Sequence, residues 1–202
     1  MKHLVVYVHG KGGSADEAEH YSPLFADCEV VGFDYRAQTP WEARMEFPHF
    51  FDPLRAEYAS LTLIANSIGA FFSMTSLSGK QVDRALFISP IVDMEKLIAD
   101  MMARVNVTEE ELRARGEIPL ESGETLSWDW FGDVRRHPVQ WTVPTRILYG
   151  ERDFLTSFET ISAFAARTGA PLTVMPGGEH WFHTPEQMAF LDRWILESFP
   201  RH

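Results

Sequence analysis

The sequence has a single cysteine, Cys28, so no disulfide can form within the chain. Its place beside Val30 and Val31 suits a small apolar packing residue better than a nucleophile. Long hydrophobic runs are also missing. The apolar stretch that follows His3 is too short for a signal peptide or a membrane span, and the expectation is a soluble, cytoplasmic protein that does not engage a membrane. Basic residues are few: 18 Lys and Arg stand against 29 Asp and Glu, for a formal net charge of -11. The only basic cluster is Arg135-Arg136-His137. Binding a nucleic acid requires clustered cations that displace its counterions, so the composition argues against such a partner. Two ligand motifs are lacking as well. The run H-G-K-G-G-S from His9 to Ser14 does not have P-loop spacing, and E-H-W-F-H from Glu179 to His183 does not follow the zinc-peptidase order H-E-x-x-H. No metal or cofactor is expected, and repeats, linkers and low-complexity segments are absent.

What is present suits one core. The chain has 202 residues, 45% of them hydrophobic, and its aromatics run from end to end, which predicts one domain over residues 1–202. Short runs rich in Val, Ile and Leu ("HLVVYVHG", "EVVGFDY", "LTLIANS", "RALFISP", "TRILYGE", "LTVMPGG") end in Gly, Ser, Pro or Asp, as buried parallel strands do. Helical patterns lie between them: after Ser14, from Thr39 to Ala59, from Ile68 to Leu77, from a Ser157 cap to a Gly169 stop, and from Pro185 onward. The alternation predicts a doubly wound, mostly parallel α/β sheet of about six strands.

One segment, from Ile91 to Val143, interrupts the alternation and is too long for a simple crossover. It carries two helix signals: Leu97 and Met101 on one face of the first, and a Thr108/Glu111 capping box with a Gly116 stop for the second. The acidic run Glu109 to Glu111 reads as that second helix's first turn. A turn-rich aromatic stretch follows. Long connections in compact domains tend to serve function, so residues 91–143 are expected to form a helical cap, with Trp128, Trp130 and Phe131 lining a substrate pocket. The plainer alternative is that the insertion and its aromatics only pack on the core.

In an open parallel sheet, sites form at the carboxyl ends of the strands. Ser67 stands at one such end, within the pentapeptide A-N-S-I-G from Ala65 to Gly69. This is close to G-x-S-x-G, a tight strand-to-helix turn that exposes the serine oxygen and requires small residues two positions away on each side. A serine hydroxyl needs a base to take its proton. His180 lies in the Gly-rich loop after the last strand, with His183 as a rival nearer the Pro185 helix start. The base in turn needs an acid to hold its tautomer. Asp153 follows the preceding strand; Asp93, after the fourth strand, is the alternative acid, or else the N-cap of a helix.

The order serine, aspartate, histidine, each after a different strand, resembles the α/β-hydrolase family over nearly the whole chain. The run "VHGKGGS" is similar to the family's His-Gly loop. That resemblance implies an oxyanion hole formed by the backbone N–H groups of Lys11 and Ile68, with His9 holding its loop rather than acting as base. Two departures stand out: the sequence begins at what would be the family's third strand, giving a reduced sheet, and Ala65 replaces the first glycine of the elbow. The resemblance implies a serine hydrolase with catalytic Ser67, Asp153 and His180, no cofactor, and a small carboxylic ester as substrate. Amidase, thioesterase or acyltransferase chemistry would use the same triad. A non-catalytic ligand-binding module on this fold, or an interaction protein using its acidic insertion, are the readings from other classes.

Overall fold

All six apolar runs become strands of one parallel sheet. The structure, a computed structural model, describes residues 2–79 and 81–199. Among these residues eight strands occur in order: β1 (His3–Val8), β2 (Cys28–Gly32), β3 (Ser60–Asn66), β4 (Arg84–Ile88), β5 (Glu117–Pro119), β6 (Thr125–Ser127), β7 (Thr145–Gly150) and β8 (Leu172–Met175). The central sheet is ordered β2-β1-β3-β4-β7-β8, with every pairing parallel. Strand side chains alternate between two cores. Leu4, Val6 and Val8 of β1 join Leu63, Phe87 and Ile147 on one face, while Val5 and Tyr7 join Ile64, Leu86 and Leu148 on the other. Both faces are covered, so the strands read as unbroken apolar runs rather than alternating ones. Cys28 is half-buried against the second core, where burial raises its thiol pKa.

Among the described residues eight α-helices flank the strands: α1 (Ala18–Tyr21), α2 (Pro40–Glu57), α3 (Ile68–Ser76), α4 (Met94–Arg104), α5 (Glu109–Arg115), α6 (Trp128–Arg136), α7 (Phe158–Thr168) and α8 (Pro185–Ser198). The helix expected after Ser14 is instead split into a 3-10 turn, α1 and a second 3-10 turn containing Pro23, which has no N–H to continue a ladder. By contrast α2 continues through Pro48 and Pro53, anchored by Ala43, Phe47 and Phe51 on the core and started by a Thr39/Glu42 capping box. No helix among the described residues is long and apolar enough to cross a membrane.

The insertion holds more regular structure than its sequence suggests. Its two helix signals become α4 and α5, with the Thr108 cap and Gly116 stop where expected. The turn-rich stretch is in fact an antiparallel hairpin, β5–β6, leading directly into α6, which Ser127 caps. Strands of three residues that pair only with each other leave too short a pattern to recognise. Ion pairs tie these pieces together. Arg135 of α6 reaches Glu95 of α4 at 2.8 Å and Glu109 of α5 at 2.6 Å, with its guanidinium 3.9 Å above the Phe131 ring. Arg44 of α2 grips the buried Asp133 carboxylate of α6 with two hydrogen bonds of 2.6 and 3.0 Å. The insertion is thereby fastened to the core helix beneath it.

Candidate active site

The chain passes from β3 into α3 through Ser67, whose backbone sits at φ 52 and ψ -120, a region that non-glycine residues rarely enter. Three hydrogen bonds hold it there. Its N–H donates to the Ile88 carbonyl at 3.0 Å, and its own carbonyl accepts from Ala70 and Ile91, each at 3.2 Å. The turn is tight because α3 starts against the end of β1. A methyl group at Gly69 would lie 2.3 Å from the His9 carbonyl oxygen and 2.9 Å from that of Val8, which leaves room for glycine alone. Ala65, on the opposite side of the serine, is fully buried, and its extra methyl fits within the first core.

A second close approach joins the loops after β7 and β8. At Gly150 a methyl group would lie 2.4 Å from the Glu179 carbonyl oxygen, and the Arg152 N–H donates to the Gly178 carbonyl at 2.8 Å. These contacts bring Asp153 beside His180. Asp153 Oδ2 is 2.7 Å from His180 Nδ1, and His180 Nε2 is 2.8 Å from Ser67 Oγ. The other carboxylate oxygen, Oδ1, accepts from the Leu155 N–H at 2.8 Å and the Thr156 N–H at 3.1 Å. The carboxylate is completely buried, whereas 11% of the His180 side chain is exposed. Nearby, the buried Tyr149 phenol has its pKa raised by desolvation and then by the Asp153 charge, so it stays protonated and donates to the Thr156 carbonyl at 2.8 Å.

Ser67 opens into a cavity of about 740 Å³ that Lys11 and Ile68 also line. Among the described residues, neither the Lys11 N–H nor the Ile68 N–H donates a hydrogen bond, and the Ile68 amide belongs to the first turn of α3. The Lys11 ammonium reaches across to Glu124 in the hairpin turn at 2.6 Å. One face of α4 and the inner face of the hairpin supply most of the wall: Met94, Ile98, Met101, Ile118 and Leu126 among others. Of the three aromatics expected there, only Trp130 lines the cavity, stacked on Phe72 at 6.3 Å. Phe131 is 1% exposed beneath Arg135, and Trp128 packs edge-on against it, so these two pack within the insertion and do not line the cavity. Phe154 and Leu155, adjacent to Asp153, also line the cavity; the signal in the sequence was a pair of apolar residues in the loop beside a candidate triad residue.

No protein-family model and no curated protein sequence matches the chain. Comparison of the fold does find relatives. Mouse alpha/beta hydrolase domain-containing protein 10 superposes with a TM-score of 0.77 at 16% identity, over 96% of this chain and 88% of that one. Est1E from Butyrivibrio proteoclasticus gives 0.73 at 16% identity, over 98% and 86%. A serine hydrolase homologue from Coxiella burnetii gives 0.61 at 14% identity, over 98% and 85%. The chain has the α/β-hydrolase fold.

Within that α/β-hydrolase fold the rival residues have other partners. His183 stacks on Trp181 at 4.5 Å and has its Nδ1 2.8 Å from the Trp181 carbonyl oxygen, remote in bonding from Ser67. Asp93 caps α4 by accepting from the Lys96 N–H at 2.9 Å. His9 stacks on Tyr35 at 4.3 Å, and the Tyr35 hydroxyl donates to the His9 carbonyl, so it braces the turn after β1. Among the described residues no group of three or more His, Cys, Asp or Glu is placed to hold a metal ion.

Proposed function

We propose that the protein is a serine hydrolase that cleaves a carboxylic ester through an acyl-enzyme intermediate, with Ser67, His180 and Asp153 as its triad. The observation that carries this reading is the continuous hydrogen-bonded series from Asp153 through His180 to Ser67, which opens into a cavity. As Ser67 Oγ forms a bond to the ester carbonyl carbon, His180 Nε2 takes the serine proton. Asp153 Oδ2 accepts from Nδ1–H, which fixes the tautomer and stabilises the imidazolium. The N–H groups of Lys11 and Ile68 stabilise the oxyanion. Collapse breaks the bond to the leaving oxygen, which receives the proton from His180. Water then attacks the acyl-enzyme with His180 as base, releasing the acid and restoring Ser67.

On this reading residues 91–143 act as a cap that walls the cavity and excludes bulk water from the oxyanion. The bonds of Arg44 to Asp133 favour a fixed wall over a free lid. Thioester and amide cleavage use the same steps with another leaving group. A fluorophosphonate probe tests the proposal, because an activated serine alone is labelled. Wild type should label at Ser67 and hydrolyse p-nitrophenyl esters, and Ser67→Ala should do neither, with kcat down on the order of a millionfold. A Ser67→Ala chain that keeps more than a few per cent of turnover refutes the assignment.

A further inference from the structure

Resting on that acyl-enzyme reading, we propose that the cavity is an acyl-chain pocket and that the acid released is an unbranched alkyl acid of about ten to twelve carbons. The argument begins on α4. Met94, Leu97, Ile98, Met101 and, one residue past the helix end, Val105 all line the cavity. Their spacing of three and four places them in one stripe. On an ordinary amphipathic helix such a stripe would be spent against the core. Here it also faces an open space that begins at Ser67.

Length follows from geometry. From Met94 to Val105 the stripe advances eleven residue steps, about 16 Å at the helical rise per residue. An extended alkyl chain with C–C bonds near 1.5 Å advances about 1.25 Å per carbon, so about a dozen carbons match the stripe. The volume of about 740 Å³ is ample for such a chain and far exceeds the needs of an acetyl group. The opposite wall is of the same kind: Ile118, Leu120 and Leu126 of the hairpin. Thioethers such as Met94 and Met101 adapt to a flexible chain better than to a rigid ring.

Polar lining comes from the hairpin turn, in Glu121, Ser122, Glu124 and Thr125, from Lys11, which is paired to Glu124, and from Arg104 at the end of α4. The five stripe residues carry no charge themselves, and Arg104 beside Val105 donates to the Phe154 carbonyl at 3.4 Å.

The test uses the full chain and p-nitrophenyl esters from acetate to hexadecanoate, plus the cinnamate ester, each below its micelle concentration. A short-chain fluorophosphonate reports Ser67 separately. If the proposal holds, kcat/KM climbs from butanoate by up to about fourfold per methylene, the burial value of one CH₂, and peaks at decanoate or dodecanoate. Met101→Trp, at a half-buried position, and Val105→Trp, at an exposed one, should each shift the peak shorter by about two carbons or more by overpacking the stripe. A chain that labels at Ser67 yet prefers acetate, shows no trend, or prefers cinnamate to every alkyl ester overturns the pocket while leaving the serine hydrolase intact. Two folded tryptophan variants with an unmoved peak also overturn it. Absence of labelling in wild type removes the triad reading and this proposal together.

Discussion

An Asp153→Asn substitution changes one atom of a carboxylate whose two oxygens have separate partners. Oδ1 accepts from the Leu155 and Thr156 N–H groups, and Oδ2 faces His180 Nδ1. The asparagine oxygen must therefore take the Oδ1 position. Reversed, its NH₂ would confront two donors and leave them unpaired in a buried site, at about 1–3 kcal/mol each. The amide nitrogen then points at Nδ1 and donates to it. His180 is forced to carry its own proton on Nε2, where it can only donate to Ser67 Oγ and cannot accept the serine proton. The expected loss is about ten-thousandfold in kcat, as for the same change in serine proteases, or about 5.4 kcal/mol at 1.36 kcal/mol per tenfold. Stability should hardly move, because the Oδ1 bonds persist. The control is Asp93→Asn, where the asparagine still caps α4 and activity should stay within a fewfold of wild type. Steady-state kcat on a p-nitrophenyl ester, with a melting curve for each variant, decides the matter. Asp153→Asn turnover within tenfold of wild type, or a larger loss for Asp93→Asn, refutes the reasoning.

Gly69→Ala should abolish soluble expression or, in any folded fraction, most of kcat, since its methyl would drive the His9 carbonyl off the elbow and displace the turn that carries Lys11; expression yield and kcat check this. Asp133→Ala strands the Arg44 guanidinium, which is 27% exposed, and should cost about 2 kcal/mol, lowering Tm by about 4–8 °C in a calorimetric scan. Phe131→Ala should destabilise by about 3–5 kcal/mol without changing ester preference, whereas Trp130→Ala should alter chain-length preference more than Tm; paired ester series and melting curves separate the two.

The sheet was legible because its inner strands, β1, β3, β4 and β7, are buried on both faces and are therefore apolar runs with a turn residue after them. The site was legible for a related reason. Ser67 follows β3 directly, and Asp153 and His180 lie three and five residues past the ends of β7 and β8, so locating the strand ends also located the candidate residues. Caps at Thr108, Ser157 and Thr39 marked helix starts by local hydrogen bonding that needs no tertiary partner. What could not be read depends on contacts between distant segments. The β5–β6 hairpin is held by one short register around Ile118 and Leu126, and α6 follows it with Gly132 in its middle and aromatics at its start, a poor helical sequence made helical by its ties to α2 and α4. Whether Trp128, Trp130 or Phe131 faced the cavity depended on the rotation of that helix, which Arg135 and Asp133 set through partners on three other helices.

The backbone of Ser67 puts selection and stability in opposition. At φ 52 the position suits glycine and costs any other residue about 1–3 kcal/mol. A Ser67→Gly change would therefore relieve the turn in the same step that removes the hydroxyl. Drift away from function would be downhill in folding energy at this position, with no compensating mutation required. Among descendants of this chain, a serine here is then a record of continued use, since a lineage released from the need for catalysis has an energetic reason to lose it.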